Sequence, residues 1–133
     1  MNARKLRVAV ATDGQRGLED TVSEVFGRAN TLTVIDLNEE VDDIVVIQNQ
    51  AKSYKHGAGP LVVKTLADSG VKAVIAKEFG PGVTSLLSEY DIATFTARPG
   101  ISVAEALKLY KSLKTQPFFP DPNRVNRQHI ALR

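Results

Sequence analysis

Leu6-Arg7-Val8-Ala9-Val10-Ala11-Thr12, closed by Asp13-Gly14, is the stretch from which the fold is read. It is a strand-length, mostly apolar run bounded by a turn signal, so it reads as a strand lying centrally in a sheet with both faces covered. A polar loop runs from there to about Thr21. Thr31–Leu37 then alternates polar and apolar residues, Asn38–Asp43 is an acidic turn, and Ile44–Asn49 is the hairpin partner. The first half of the chain is a three-stranded meander.

The period changes after residue 50. Gly57-Ala58-Gly59-Pro60 opens a helix that runs to about Ser69, because proline loses nothing at the first helical position. Gly70 stops it. Val71–Ala76 is a strand, Pro81–Glu89 a short helix and Ile92–Thr96 a strand. A last helix runs from Ser102 to about Leu113, with Ser102 and Glu105 spaced as a capping box. Right-handed crossovers make the later strands parallel. The expected fold class is α/β, RNase H-like and three-layered: a five-stranded mixed sheet of order 3-2-1-4-5 with helices on both faces. Residues 1–114 are expected to form a single domain. Residues 115–133, with Pro117, Pro120 and Pro122, are expected to run as an extended basic arm over the surface.

Composition narrows the chemistry. The chain has 133 residues, 43% hydrophobic and 24% charged, and no cysteine. That excludes disulfides, thiolate metal sites and a cysteine nucleophile. No apolar run is long enough to span a bilayer and the first residues lack a signal-peptide core, so a cytoplasmic protein without a membrane partner is expected. Residues 1–97 carry 10 Lys/Arg against 13 Asp/Glu, and residues 98–133 carry 7 against 2. No aromatic residues interleave with the basic ones, which favours a solvated helix face and terminus over nucleic-acid binding.

In open α/β sheets ligands collect beyond the carboxyl ends of strands where the winding reverses. Here that point lies between the first and fourth strands, where the loop Asp13–Arg28, the turn His56–Pro60 and the turn Phe79–Gly82 should meet. Both Gly-Pro turns feed helix starts, which present unpaired N–H groups. With Arg28 and Lys77 nearby, the combination suits an anion. Glycine and proline are also good helix-start chemistry without any ligand. His56 can ligate a metal or donate to an anion, and is equally an ordinary surface histidine; His129 lies in the arm. A Ser23–His56 nucleophile pair lacks the supporting elbow motif. Nuclease chemistry lacks a carboxylate within the central strand, and no Walker A or G-x-G-x-x-G motif is present.

Four segments carry a resemblance: Val8–Gly14, Val22-Ser23-Glu24-Val25-Phe26-Gly27-Arg28, His56-Gly57-Ala58-Gly59-Pro60 and Gly80-Pro81-Gly82. Together, over about residues 5–113, the chain resembles the dinitrogenase iron–molybdenum cofactor biosynthesis domain family, which includes NifX- and NafY-like carriers and the C-terminal domain of NifB. The resemblance implies an RNase H-like fold and a non-enzymatic carrier or scaffold for an iron–sulfur or molybdenum–iron–sulfur cluster in metallocluster biosynthesis, related to nitrogen fixation. Cluster donor and acceptor proteins would be its partners. The cofactor-binding set is Ser23, Phe26, Gly27, Arg28, His56, Gly57, Gly59, Gly80 and Gly82, with His56 as the metal ligand and no catalytic residue. Many relatives carry His where Val25 stands, so cluster binding is expected to be weak, transient or absent, and aerobically purified protein to be colourless. Two alternatives stand beside this reading: a cluster-free interaction module using the basic arm, and, with less support, an enzyme acting on a small anion.

Overall fold

The computed structural model describes residues 6–37, 41–53, 57–80, 82–114 and 129–131. The strands are β1 (Leu6–Thr12), β2 (Thr31–Leu37), β3 (Val41–Gln48), β4 (Ala73–Ala76), β5 (Ala93–Thr96) and β6 (His129–Ala131). The helices are α1 (Ala58–Asp68), α2 (Val83–Glu89) and α3 (Val103–Lys114). Short 3-10 turns at Gly17–Glu19 and Phe26–Arg28 punctuate the loop after β1.

The sheet order is β3-β2-β1-β4-β5-β6. β1 pairs antiparallel with β2 from Leu6↔Leu37 to Thr12↔Thr31, and parallel with β4 from Val8↔Ala73 to Val10↔Ile75. The α/β class, the mixed sheet and the order of its first five strands are as expected. To these five strands residues 129–131 add a short sixth that pairs parallel with β5. β5 would otherwise present a row of open backbone groups, which this segment satisfies. A correction concerns the acidic turn. Asp42 and Asp43 belong to β3, with Asp43 opposite Asp36 in register. Arg7 offsets the charge there: Nε and Nη2 donate to the two Asp36 carboxylate oxygens at 2.7 and 3.2 Å, and Nη1 donates to Ser69 O at 2.6 Å.

Strand alternation divides the core into two layers. Ala9, Ala11 and Val74 pack with Val62 and Leu66 of α1 and Leu87 of α2. Val8, Val10 and Ile75 pack on the other face with Val103, Ala106 and Tyr110 of α3. Burying each larger apolar side chain contributes about 1.5–3 kcal/mol. The termini of the helices follow their sequence signals. Gly70 takes φ +79°, and Val71 N donates to Leu66 O at 3.1 Å to close α1. Ser102 Oγ accepts from Glu105 N at 3.0 Å at the start of α3. No helix among the described residues is long and apolar enough to cross a membrane.

Candidate functional site

The loop after β1 is folded by a carboxylate. Asp20 is fully buried and accepts from Gly14 N, Arg16 N and Thr21 N at 2.9, 3.1 and 2.8 Å. Burial by itself would raise its pKa, but the three backbone donors and the Arg16 guanidinium outweigh that and hold it below the usual value. Beneath the loop, Thr12 Oγ1 hydrogen-bonds to Thr31 Oγ1 and Thr33 Oγ1 at 2.6 and 2.9 Å.

From this base the chain bridges β1 and the continuation of β4. Ser23 N donates to Ala11 O at 2.8 Å, Glu78 N to Glu24 O at 2.8 Å, and Phe26 N to Glu78 O at 2.9 Å. Phe26 is fully buried, its ring centroid 5.5 Å from that of Phe79. This anchor presents Gly27 and Arg28 to the start of α1. A Cβ on Gly27 would lie 3.2 Å from Gly59 Cα and N, so the two backbones meet as closely as they can. Gly57 caps α1 with φ +80° and, as glycine, supplies no side-chain cap to the first-turn N–H groups.

The result is a cavity of about 260 Å³. Val25, Gly27 and Arg28 form one wall, Gly57 to Pro60 the second, and Gly80 and Val83 the third. Arg28 is the one charged residue among the described residues that line it. Its Nη1 donates to Lys52 O at 2.9 Å, which ties the guanidinium to the chain just past β3. Among the described residues no carboxylate lines the cavity, so the field they set favours an anion.

The structure thus brings together Gly27, Arg28, Gly57, Gly59 and Gly80 of the expected set. Three residues of that set are not among the described lining residues. Phe26 lies in the core, Ser23 is buried within the loop, and Gly82, between the lining residues Gly80 and Val83, caps α2 with φ +76°. His56 lies outside the described residues. Lys77 lines a neighbouring cavity and pairs with Glu78 at 3.0 Å; that hydrogen bond raises its pKa. Among the described residues no group of three or more His, Asp or Glu side chains gathers as a metal site. Sequence reasoning did not select Val25 or Val83 as wall residues, nor Asn49, whose amide holds the site loop in place.

A model of the dinitrogenase iron-molybdenum cofactor family matches residues 4–113. The chain belongs to that family. A relative in Methanocaldococcus jannaschii, an uncharacterized protein, is 26% identical over 119 residues, covering 89% of this chain and 96% of its own. Among solved structures, the apo form of the orange protein from Desulfovibrio gigas superposes with a TM-score of 0.75 at 26% identity, covering 84% of this chain and 91% of that one. The NMR structure of a Thermotoga protein with a provisional NifB assignment gives a TM-score of 0.68 at 28% identity, covering 80% and 88%.

Proposed function

We propose that this protein is a non-enzymatic carrier or scaffold for a compact, anionic metal–sulfur cluster, iron–sulfur or molybdenum–iron–sulfur in type. One observation carries the reading: the 260 Å³ cavity at the carboxyl ends of β1 and β4 is walled by glycine backbone and has Arg28 as its charged lining residue. Membership of the dinitrogenase iron-molybdenum cofactor family supports the class of cargo. A sulfide-bridged cluster is polarizable and bears negative charge on its surface. Backbone N–H groups at the start of α1 and the Arg28 guanidinium can donate to its sulfides without entering the metal coordination shell. The chain has no cysteine, so no thiolate competes for the metal.

Holding a cluster mainly by hydrogen-bond donors, with a single imidazole ligand at most, makes release fast, which suits transfer between a donor and an acceptor protein. His56 precedes the α1 start and is the candidate imidazole ligand of this reading. The test is anaerobic titration of ¹⁵N-labelled protein with a synthetic iron–sulfur cluster and with a molybdenum–iron–sulfur cluster. Saturable shifts of the Gly27, Gly57 and Gly59 amides are expected. Shifts confined to other surfaces, or none, would overturn the reading.

A further inference from the structure

Asn49 directly follows β3 and is 6% exposed. Its amide is fully committed. Nδ2 donates to Gly27 O at 3.1 Å and to Ala29 O at 2.8 Å, while Oδ1 accepts from Ala51 N at 3.0 Å. The backbone completes the clasp, because Asn49 N donates to Asn30 O at 3.1 Å. Gly27 is the residue whose backbone lies against Gly59, so its position sets the width of the anion cavity. Arg28 stands between the two carbonyls that Asn49 holds. Its guanidinium reaches the carbonyl of Lys52, whose own N–H donates to Asn49 O at 3.3 Å.

We infer that Asn49 is the positioning residue of the anion cavity: from the end of β3 it fixes Gly27 against α1 and sets where Arg28 leaves the chain. Only a side chain with two donors and one acceptor in this plane makes all three contacts. Aspartate has the same size and keeps the contact to Ala51, but it has no N–H to give the carbonyls of Gly27 and Ala29, and it would face both with negative charge. The role is therefore a matter of hydrogen-bond polarity and not of volume. The inference rests on the cluster-carrier reading only for what the cavity holds; the placement of Gly27 and Arg28 is a property of the empty protein.

The experiment compares wild type with Asn49→Ala, Asn49→Asp and Ser102→Ala. The last removes the N-cap of α3, on the opposite face of the sheet, and reports what general destabilisation does. Amide hydrogen exchange is measured without ligand, and tetrathiomolybdate, a compact sulfur dianion, is the binding probe. Both Asn49 variants are expected to exchange faster at Gly27, Arg28 and Ala29 than wild type, with β1 protected relative to them. Both should bind the probe at least about tenfold more weakly. Ser102→Ala should keep the wild-type affinity and the wild-type pattern at Gly27–Ala29. Unchanged exchange at Gly27–Ala29 in both Asn49 variants would overturn the positioning role, whatever the probe does. Asn49→Asp behaving as wild type would overturn it as well. If wild type fails to bind the probe while the exchange changes appear, the positioning role stands and the cargo reading falls.

Discussion

Gly59 stands against Val83 so closely that a Cβ on the glycine would lie 2.8 Å from Val83 Cγ2. The contact joins the first turn of α1 to the first turn of α2 across one wall of the anion cavity. With Gly27 pressed on the other side of Gly59, three chain segments share a volume that admits no extra methyl group. The glycines here are first a packing requirement. The donor-lined cavity follows from that close approach.

Gly59→Ala should therefore destabilise the protein by about 1–3 kcal/mol through overpacking. Val83→Ala removes the clashing methyl groups, so adding it to Gly59→Ala should recover part of that loss. Chemical denaturation of the four proteins of the cycle reads the coupling, expected at about 1 kcal/mol or more. Additive losses would show that the α1 start relaxes away from Val83 instead.

The acid limb of stability should depend on Asp20. Its pKa is lowered in the folded protein from the ordinary value of 3.8, so the folded state binds the proton less tightly than the unfolded chain. The resulting stabilisation is present above the unfolded pKa and is lost as pH falls toward and through the lowered folded value. Asp20→Asn cannot titrate, and its stability curve should be flatter than that of wild type below about pH 4. At neutral pH the variant should be less stable by about 1–3 kcal/mol, since the three N–H groups are shared between two carboxylate oxygens and the amide replaces one of these acceptors with a donor. Urea melts between pH 2 and 7 check both statements; parallel acid limbs would assign the acid sensitivity to other carboxylates.

Much of this architecture is legible in the sequence because local and tertiary signals agree. β1 spans Leu6–Thr12 as read, Gly70 terminates α1, and Ser102 caps α3. The misreadings arise where a pairing partner overrides local preference. Asp42 and Asp43 look like turn residues, yet they extend β3, and the like charge of Asp43 opposite Asp36 is offset by Arg7. β6 is three residues long and follows a proline-containing segment, too short for any period to show. At the site, the motif glycines and Arg28 carry a recognisable pattern. Asn49 does not, since an asparagine after a strand is ordinary turn chemistry until the carbonyls of Gly27 and Ala29 are seen beside it.

Removal of residues 115–133 should leave a folded protein, because among the described residues both core layers draw on the elements up to α3. It also strips the pairing of Thr94–Thr96 with His129–Ala131. Loss of these ladder bonds should cost about 1–4 kcal/mol. The exposed β5 edge should promote concentration-dependent self-association. Thermal melts and light scattering of both forms test this. A truncated chain that stays monomeric at full stability would show that β6 contributes nothing to the edge.

Arg28 should act on binding far more than on folding. Its side chain is exposed, and its hydrogen bond to Lys52 O contributes about 0.5–1.5 kcal/mol. Arg28→Ala removes the charged member of the cavity wall and with it a charge-assisted donor to an anion, about 1.5–3 kcal/mol or tenfold to a hundredfold in affinity. Arg28→Lys keeps the charge but not the planar fork, so it should bind between wild type and alanine. Because the guanidinium is exposed, raising the salt concentration should weaken wild-type binding more steeply than binding by Arg28→Ala. Anaerobic titrations with tetrathiomolybdate at two ionic strengths give both comparisons. Equal affinities for the three proteins at low salt would remove Arg28 from the site and leave the backbone donors of α1 as the whole of the anion's recognition.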